Sequence, residues 1–317
     1  MRIETKFEMT SPYRDHFRIT GYRFGEGEKT LAIVGAMRGD EVQQQYVCSQ
    51  IVSRLTVIEQ QHKIAEGQSI LVIPSCNPFS MNVNRRFWAM DNTDINRMFP
   101  GYDQGETTQR IAAAIFSAIE GFKYGIQLAS YYVPGDFVPH VRMIKTGYED
   151  IDTARLFGMK YVTISQPRPF DTTLLNYNWQ IWNTHAFSVY AGKTCQIDPQ
   201  TSEETIDAIL RMMNRSGIIT HGLTSAAYET IVFDESDLQH VKAHHAGIFY
   251  RMVNAGQNVA VGETLAHIID PYNGLILEEV KAKVEGTVIF AHNRPLVLQN
   301  ALLFMLYSLI SSSDIVT

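Results

Sequence analysis

Hydrophobic and polar positions change period several times along this chain, and each change marks an element. From Phe17 to Tyr22 apolar residues alternate with polar ones, a turn follows at Gly25-Glu26-Gly27-Glu28, and Thr30 to Gly35 is a short apolar run. Alternation marks a half-buried strand and an unbroken run a buried one, so this stretch predicts a strand, a hairpin turn and a buried strand. From Asp40 the spacing becomes helical, with Val47, Ile51, Leu55 and Ile58 on one stripe and Gln43-Gln44-Gln45 in the first turn. Ser69 to Pro74 and Tyr124 to Leu128 predict further strands, and Thr107 to Ile119 a helix with Ile111, Ile115 and Ile119 in register. Strands at Lys160 to Ser165 and Ala186 to Tyr190 and a helix over Glu203 to Met213 continue the alternation. Strands alternating with helices predict an α/β sheet with helices on its faces.

Two regions break this rhythm. Cys76 to Gly105 has no clear period, is rich in Asn and Arg, and ends in Phe99-Pro100-Gly101; long irregular segments in compact domains usually carry function, and its aromatics are natural anchors. After about His221, short strand-like runs are punctuated by Gly247, Gly256, Gly262, Gly274 and Gly286, which predicts a small β domain. The expected division is 1–222 and 223–317. The last apolar run, Ala301 to Ile310, is about ten residues, too short for a bilayer, and predicts a core strand.

Composition narrows the classes. Of 317 residues, 45% are hydrophobic and 19% charged, so the chain can build cores without disulfides and is neither fibrous nor disordered. Lys and Arg total 27 against 33 Asp and Glu, a net charge of -6 with no basic block, which argues against a nucleic-acid partner. Cys48, Cys76 and Cys195 stand far apart without ligand-pair spacing and read as reduced thiols. With no apolar leader or spanning run, the expectation is a cytoplasmic protein with no membrane partner.

The segment Gly35-Ala36-Met37-Arg38-Gly39-Asp40-Glu41 lies where a strand ends and a helix opens. Downstream come Asn77-Pro78, Arg86-Phe87 and Asp94-Ile95-Asn96-Arg97-Met98-Phe99-Pro100-Gly101, then Tyr124 to Ser130, Pro139-His140-Val141-Arg142 and Phe187 to Gly192. In order and spacing this series resembles the succinylglutamate desuccinylase and aspartoacylase family, zinc deacylases related to carboxypeptidases. The likeness runs from about Thr30 to the C-terminus. It implies a zinc-carboxypeptidase-like α/β mixed sheet flanked by helices, followed by a small C-terminal all-β domain. It also implies a zinc site at positions 38, 41 and 129, a general base at position 190, and substrate-binding roles for Arg86, Asn96 and Arg97.

The chemistry at these positions departs from the family. Glu41 matches, but Arg38 stands where the first zinc His belongs, Ala129 where the second does, and Tyr190 where the base is a Glu. A guanidinium has no lone pair to offer, a methyl group has no donor atom, and a phenol with a reference pKa of about 10 takes up protons poorly at pH 7. No catalytic residue is intact and no metal or other cofactor is expected; zinc enters only if the site is rebuilt. Without a dication, a buried Glu41 needs another cation, and Arg38 three positions earlier supplies one; the other reading turns Arg38 to solvent.

Other features have plainer readings. His240, His244 and His245 are the densest histidine cluster and read as a solvated loop rather than a rebuilt metal site, and His140 and His185 as structural. Met212, Met213 and Met252 read as core. Residues 246–288 also resemble lipoyl or biotinyl carriers loosely, but Lys281 and Lys283 lie in an alternating run rather than at a hairpin tip. The first functional reading is an inactive, metal-free homologue that binds a small acidic ligand, an N-acyl amino acid or peptide carboxylate, or supports an active paralogue in a mixed oligomer. The alternative is an active hydrolase of an amide or ester bond in such compounds with a rebuilt metal site, and a third is a scaffold with an empty pocket.

Overall fold

Seven consecutive residues from Thr30 to Ala36 are buried, so this strand has to lie inside a sheet covered on both faces. The computed structural model, which describes residues 1–308 apart from 12–13, 221 and 223–225, places it so. In chain order the elements are β1 (Arg2–Ser11), β2 (Arg14–Phe24), β3 (Gly27–Ala36), α1 (Val42–Gln60), β4 (Gly67–Ser75), α2 (Pro78–Asn82), α3 (Thr107–Ile119) and β5 (Tyr124–Ala129). They continue with β6 (Gly135–Phe137), β7 (His140–Ile144), α4 (Ile151–Leu156), β8 (Tyr161–Ser165), α5 (Leu175–Ile181), β9 (His185–Tyr190), α6 (Pro199–Arg215) and β10 (Ile231–Asp234). The remaining strands are β11 (Leu238–Lys242), β12 (Gly247–Arg251), β13 (Asn258–Val259), β14 (Thr264–Ile269), β15 (Ile276–Lys281), β16 (Gly286–His292), β17 (Leu296–Val297) and β18 (Leu302–Tyr307).

The chain divides into two compact units, residues 1–130 with 139–232, and residues 131–138 with the chain from 233 onward. The boundary expected at 222/223 falls where 221 and 223–225 lie outside the described residues. The first unit holds a nine-stranded mixed sheet in the order β1-β2-β4-β3-β5-β9-β7-β8-β10. One face is covered by α1, α4 and α6, the other by α3, α5 and the long segment after β4. The α1 stripe of Val47, Ile51, Leu55 and Ile58 is buried as its spacing requires, each side chain adding about 1.5–3 kcal/mol by leaving water. On the other face Trp88, Ile95 and Phe99 of the irregular segment are buried beside Ile111 and Ile115 of α3.

The expected hairpin between β2 and β3 does not form. β2 pairs antiparallel with β1 and β4, while β3 pairs parallel with β4 and β5, so β4 separates the two. Alternation and apolar runs report burial but not which strand is the neighbour. The turn at Gly25 leads from β2, second from the edge, into β3 at the interior of the sheet. There Gly35 has no room for a side chain, since a Cβ would lie 2.1 Å from the Pro74 carbonyl oxygen and 2.9 Å from Cys48 Sγ. Gly35→Ala should therefore cost about 1–3 kcal/mol, read as a lower urea midpoint with an unchanged slope.

The second unit is all β. A five-stranded sheet runs β11-β18-β16-β13 with β6 also on β16, and a four-stranded sheet runs β15-β14-β12-β17. Leu265, Ile268, Val288, Phe304 and Leu306 fill the core between them. β18 realises the expected final strand, and 309–310 of that run lie outside the described residues. Among the described residues no helix is long and apolar enough to cross a membrane. Met212 and Met213 are fully buried, but Met252 is half exposed, because the residue after β12 points out of the four-stranded sheet.

Candidate functional site

β3 ends at Ala36, and the five residues before α1 form a turn that aims Arg38 and Glu41 inward. Both are nearly inaccessible to solvent, with 4% and 1% of their surface exposed. Arg38 Nη1 lies 3.3 Å from Glu41 Oε1, the expected pair, and also donates to the Ser130 carbonyl at 3.4 Å. A second and tighter partner is Asp94: Nη2 donates to its Oδ2 at 2.8 Å and Nε to the same oxygen at 3.1 Å. Burial alone works against the charged guanidinium, but the Asp94 and Glu41 carboxylates outweigh it and hold Arg38 more firmly protonated than a free arginine.

Glu41 is the N-cap residue of α1 but does not cap the helix with its side chain. Instead its Oε2 accepts from the Met37 and Arg38 N–H groups at 2.9 and 3.0 Å, and Oε1 accepts from Ser130 Oγ at 2.7 Å. With the Arg38 guanidinium, four donors surround one buried carboxylate. Such satisfaction is what a buried charge needs in low dielectric.

Backbone contacts fix this arrangement. The Gly39 N–H donates to the Arg86 carbonyl at 2.9 Å, and a Cβ on Gly39 would meet the Arg85 carbonyl oxygen at 2.3 Å, so the turn and the long segment lie flat against each other. Gln44 Nε2 donates to the carbonyls of Ala129 and Lys193, and Gln43 Nε2 to that of Ala191 and to Thr201 Oγ1. The polar first turn of α1, buried rather than solvated, thereby ties the helix to the ends of β5 and β9. Ala129 and Tyr190 are direct partners across those two strands. Tyr190 is buried and stacks on the fully buried His140, ring centroids 4.5 Å apart and planes 12° from parallel.

The three residues expected to bind a substrate lie on the long segment beside this cluster. Arg86 Nη1 meets both oxygens of Asp40 at 2.7 and 2.9 Å. Asn96 and Arg97 lie on a single 3-10 turn, Ile95–Arg97, whose N-cap Asp94 accepts from the Asn96 N–H. Gln127 Nε2 donates to Asn96 Oδ1 at 2.9 Å, and Arg97 Nη1 to the Phe170 carbonyl at 3.2 Å. Arg97 Nε comes within 3.9 Å of the Asp94 oxygen that also holds Arg38, and its guanidinium covers the Phe170 ring. Its side chain keeps 30% exposure, against 5% for Arg38.

Elsewhere, His244 sits on an exposed loop with Nδ1 2.8 Å from Glu278, while His240 lies on β11, so the two share no helix face. Among the described residues no three His, Cys, Asp or Glu side chains converge as a metal site. His185 pairs with Asp150 at 2.7 Å. Cys48 and Cys76 are buried, which pushes both thiols up, and Cys195 is exposed with Sγ 3.7 Å from Asp40. The β14–β15 turn carries Tyr272 and Asn273 but no lysine, and Lys281 pairs with Glu279 on the strand. Sequence reasoning missed Asp94 and Asp40 as the carboxylates that hold Arg38 and Arg86, and Gln127 as the partner of Asn96.

Comparison with known proteins matches residues 27–215 to the succinylglutamate desuccinylase/aspartoacylase catalytic domain. The chain belongs to this family. An N-alpha-acetyl-L-2,4-diaminobutyric acid deacetylase from Halomonas elongata is 22% identical over 282 residues, 85% of this chain and 79% of that protein. The product-bound ectoine utilization protein EutE (DoeB) from Ruegeria pomeroyi superposes with a TM-score of 0.80 at 17% identity, covering 96% of this chain and 94% of that one. A succinylglutamate desuccinylase/aspartoacylase from Rhodobacter sphaeroides gives 0.77 at 18% identity over 92% and 89%. The α/β fold with its added β sheets is that of the succinylglutamate desuccinylase/aspartoacylase structures.

Within this family the residues at positions 38, 41 and 129 are here a guanidinium, a carboxylate already held by four donors, and a methyl group. That donor set does not fit a zinc ion, which takes about three N, O or S ligands from the protein in a hydrolytic site. Arg38 delivers a fixed positive charge to the same carboxylate without an open coordination position.

Proposed function

We propose that this chain is a catalytically inactive, metal-free member of its deacylase family that binds the carboxylate of an N-acyl amino acid or a peptide. The observation that supports it is the Arg38 guanidinium, buried between Glu41 and Asp94 where the family resemblance places a zinc ligand. A guanidinium can neither polarise a carbonyl as a Lewis acid nor lower the pKa of a bound water, and Tyr190 at the base position is a poor proton acceptor at pH 7. Binding outlives catalysis because it needs only donors. Arg97 keeps part of its planar fork accessible and Asn96 shares its turn, whereas Arg86 is already engaged, its Nη1 meeting both oxygens of Asp40.

The purified chain is assayed for zinc by elemental analysis, for hydrolysis of N-acetyl-L-2,4-diaminobutyrate, N-acetyl-L-aspartate and N-succinyl-L-glutamate, and for binding of the same compounds by calorimetry. The expected result is no stoichiometric zinc, no hydrolysis with or without added zinc, and binding of at least one compound. Arg97→Ala should weaken that binding about 10–100-fold, the worth of one charge-assisted hydrogen bond. About one equivalent of zinc with turnover establishes the hydrolase reading instead. Absence of binding to every acidic compound leaves a scaffold.

A further inference from the structure

The chain leaves the first unit after Ser130 and returns to it at Pro139, and the segment between, Tyr131–Val138, belongs to the second unit. One short strand holds it there. Among the described residues β6 pairs with β16 alone, through Phe137 opposite Phe290, Asp136 opposite Ala291 and Gly135 opposite His292. The Val138 N–H donates to the Ile289 carbonyl at 3.0 Å, and Tyr131 packs edge-on against Phe137 and Phe290, ring centroids 5.3 and 5.2 Å away. The pairing has no slack: a Cβ on Gly135 would lie 2.2 Å from the Phe290 ring and 2.8 Å from the Ala291 carbonyl oxygen.

His292 closes this ladder. It is 6% exposed, its ring stands edge-on to Phe249 of β12 with centroids 5.6 Å apart, and neither ring nitrogen has a hydrogen-bond partner among the described residues. A neutral imidazole there forgoes the hydration of one donor and one acceptor, whereas an imidazolium would add a buried charge with nothing to accept its protons. The surrounding charges also oppose a proton. Arg251 of β12 donates Nη1 to the His292 carbonyl at 3.3 Å, and Arg294 follows two residues on. The carboxylate nearby, Asp136 of β6, accepts from Arg251 Nη1 at 2.9 Å and from Asn293 Nδ2 at 3.2 Å. β17 and the adjoining end of β18, Leu302-Leu303, bring only aliphatic side chains. Burial first, and then the two guanidinium groups, hold the His292 ring below the ordinary histidine pKa.

We infer that His292 is an acid-sensitive latch, and that protonating its ring releases β6 from the end of β16 and frees the Tyr131–Val138 segment. Linkage fixes the sign. Above the pKa of an unfolded histidine, about 6.5, the ring is neutral in the closed and the open form alike, and the latch is at full strength. As pH falls through that value the open form takes up the proton first, so closure weakens, and the weakening ends once the closed form is protonated as well. The segment starts at the residue after Ser130, whose hydroxyl and carbonyl contact Glu41 and Arg38, so its release frees the chain next to that cluster.

Hydrogen–deuterium exchange of the full chain, followed by mass spectrometry from about pH 7.5 to about pH 5 and corrected for intrinsic exchange rates, tests this. Peptides covering 131–138 are expected to lose at least about fivefold in protection across that range, while β3 and β14 keep theirs. In His292→Met and His292→Gln the corrected rate of the same peptides should be equal at both ends of the range, because neither side chain titrates. Methionine fills the space without a hydrogen-bonding donor and glutamine keeps one, so one folded variant of the two suffices; circular dichroism checks each. A wild-type segment whose protection does not change with pH overturns the inference. So does an acid loss that survives the substitution, or one that appears equally in β14, which would be a loosening of the whole unit rather than of the strand.

Discussion

Replacing Arg38 by methionine should lower stability by about 3–5 kcal/mol, more than any other single change to the site. The reason is the charge it leaves behind. Glu41 and Asp94 are 1% and 8% exposed, and Arg38 is the cation that touches both. Methionine fills similar volume, so the loss reports uncompensated carboxylates rather than a cavity. Glu41 keeps the Met37 and Arg38 N–H groups and Ser130 Oγ, and Asp94 keeps the Asn96 N–H and the more distant Arg97, which places the effect within that range rather than above it. In a domain of this size the melting temperature should fall by roughly 10 °C. Combining Arg38→Met with Asp94→Asn should cost clearly less than the two single changes summed, because the second change removes one of the charges the first had stranded. Additivity within about 0.5 kcal/mol would mean that Arg38 and Asp94 are not energetically coupled, and the cluster would lose its role as the electrostatic centre of the site.

Why the pair with Glu41 was legible and the stronger pair with Asp94 was not is a matter of sequence distance. Arg38 and Glu41 are three residues apart at a strand-to-helix turn, so local geometry and the cost of a lone buried carboxylate are enough to join them. Asp94 is 56 residues from Arg38 and comes beside it only because the irregular segment is pinned, through Trp88, Ile95 and Phe99 in the core and through the hydrogen bond between Gly39 and the Arg86 carbonyl. No spacing rule reaches that far. The same limit explains the strand order. β3 is legible as buried from its apolar run, yet the choice of β4 over β2 as its neighbour follows from a parallel register that only the folded sheet fixes. The α3 boundaries, by contrast, follow from local signals: the Ile111, Ile115 and Ile119 stripe and a Glu106–Gln109 capping box. Gln43 and Gln44 sit where helix periodicity places a polar first turn, but their burial against strand-end carbonyls depends on how α1 docks.

Under the proposed reading, placing imidazoles where the family resemblance expects zinc ligands should create a metal site. Arg38→His combined with Ala129→His is expected to bind about one zinc ion per chain, with either single variant binding far more weakly, because three protein ligands are the usual minimum for a held ion. The chain brings these positions close in sequence to shared contacts. Arg38 contacts both Glu41 and the Ser130 carbonyl, and Ala129, the residue before Ser130, lies directly across from Tyr190. Removing the guanidinium takes one donor from Glu41 Oε1, Ser130 Oγ remaining, and Asp94, which accepts from Arg38 Nε, is expected to accept the second N–H of a new imidazole, the outer contact that orients a metal-bound histidine. Zinc at about 100 times its dissociation constant should then stabilise the double variant by about 2.7 kcal/mol, visible as a rise in melting temperature that the parent chain does not show. Hydrolysis is not expected to return with it, because Tyr190 still stands where the family resemblance places the base. A folded double variant that takes up no zinc would show that positions 38, 41 and 129 do not face a common point, and Arg38 would then be a structural cation with no relation to a lost metal.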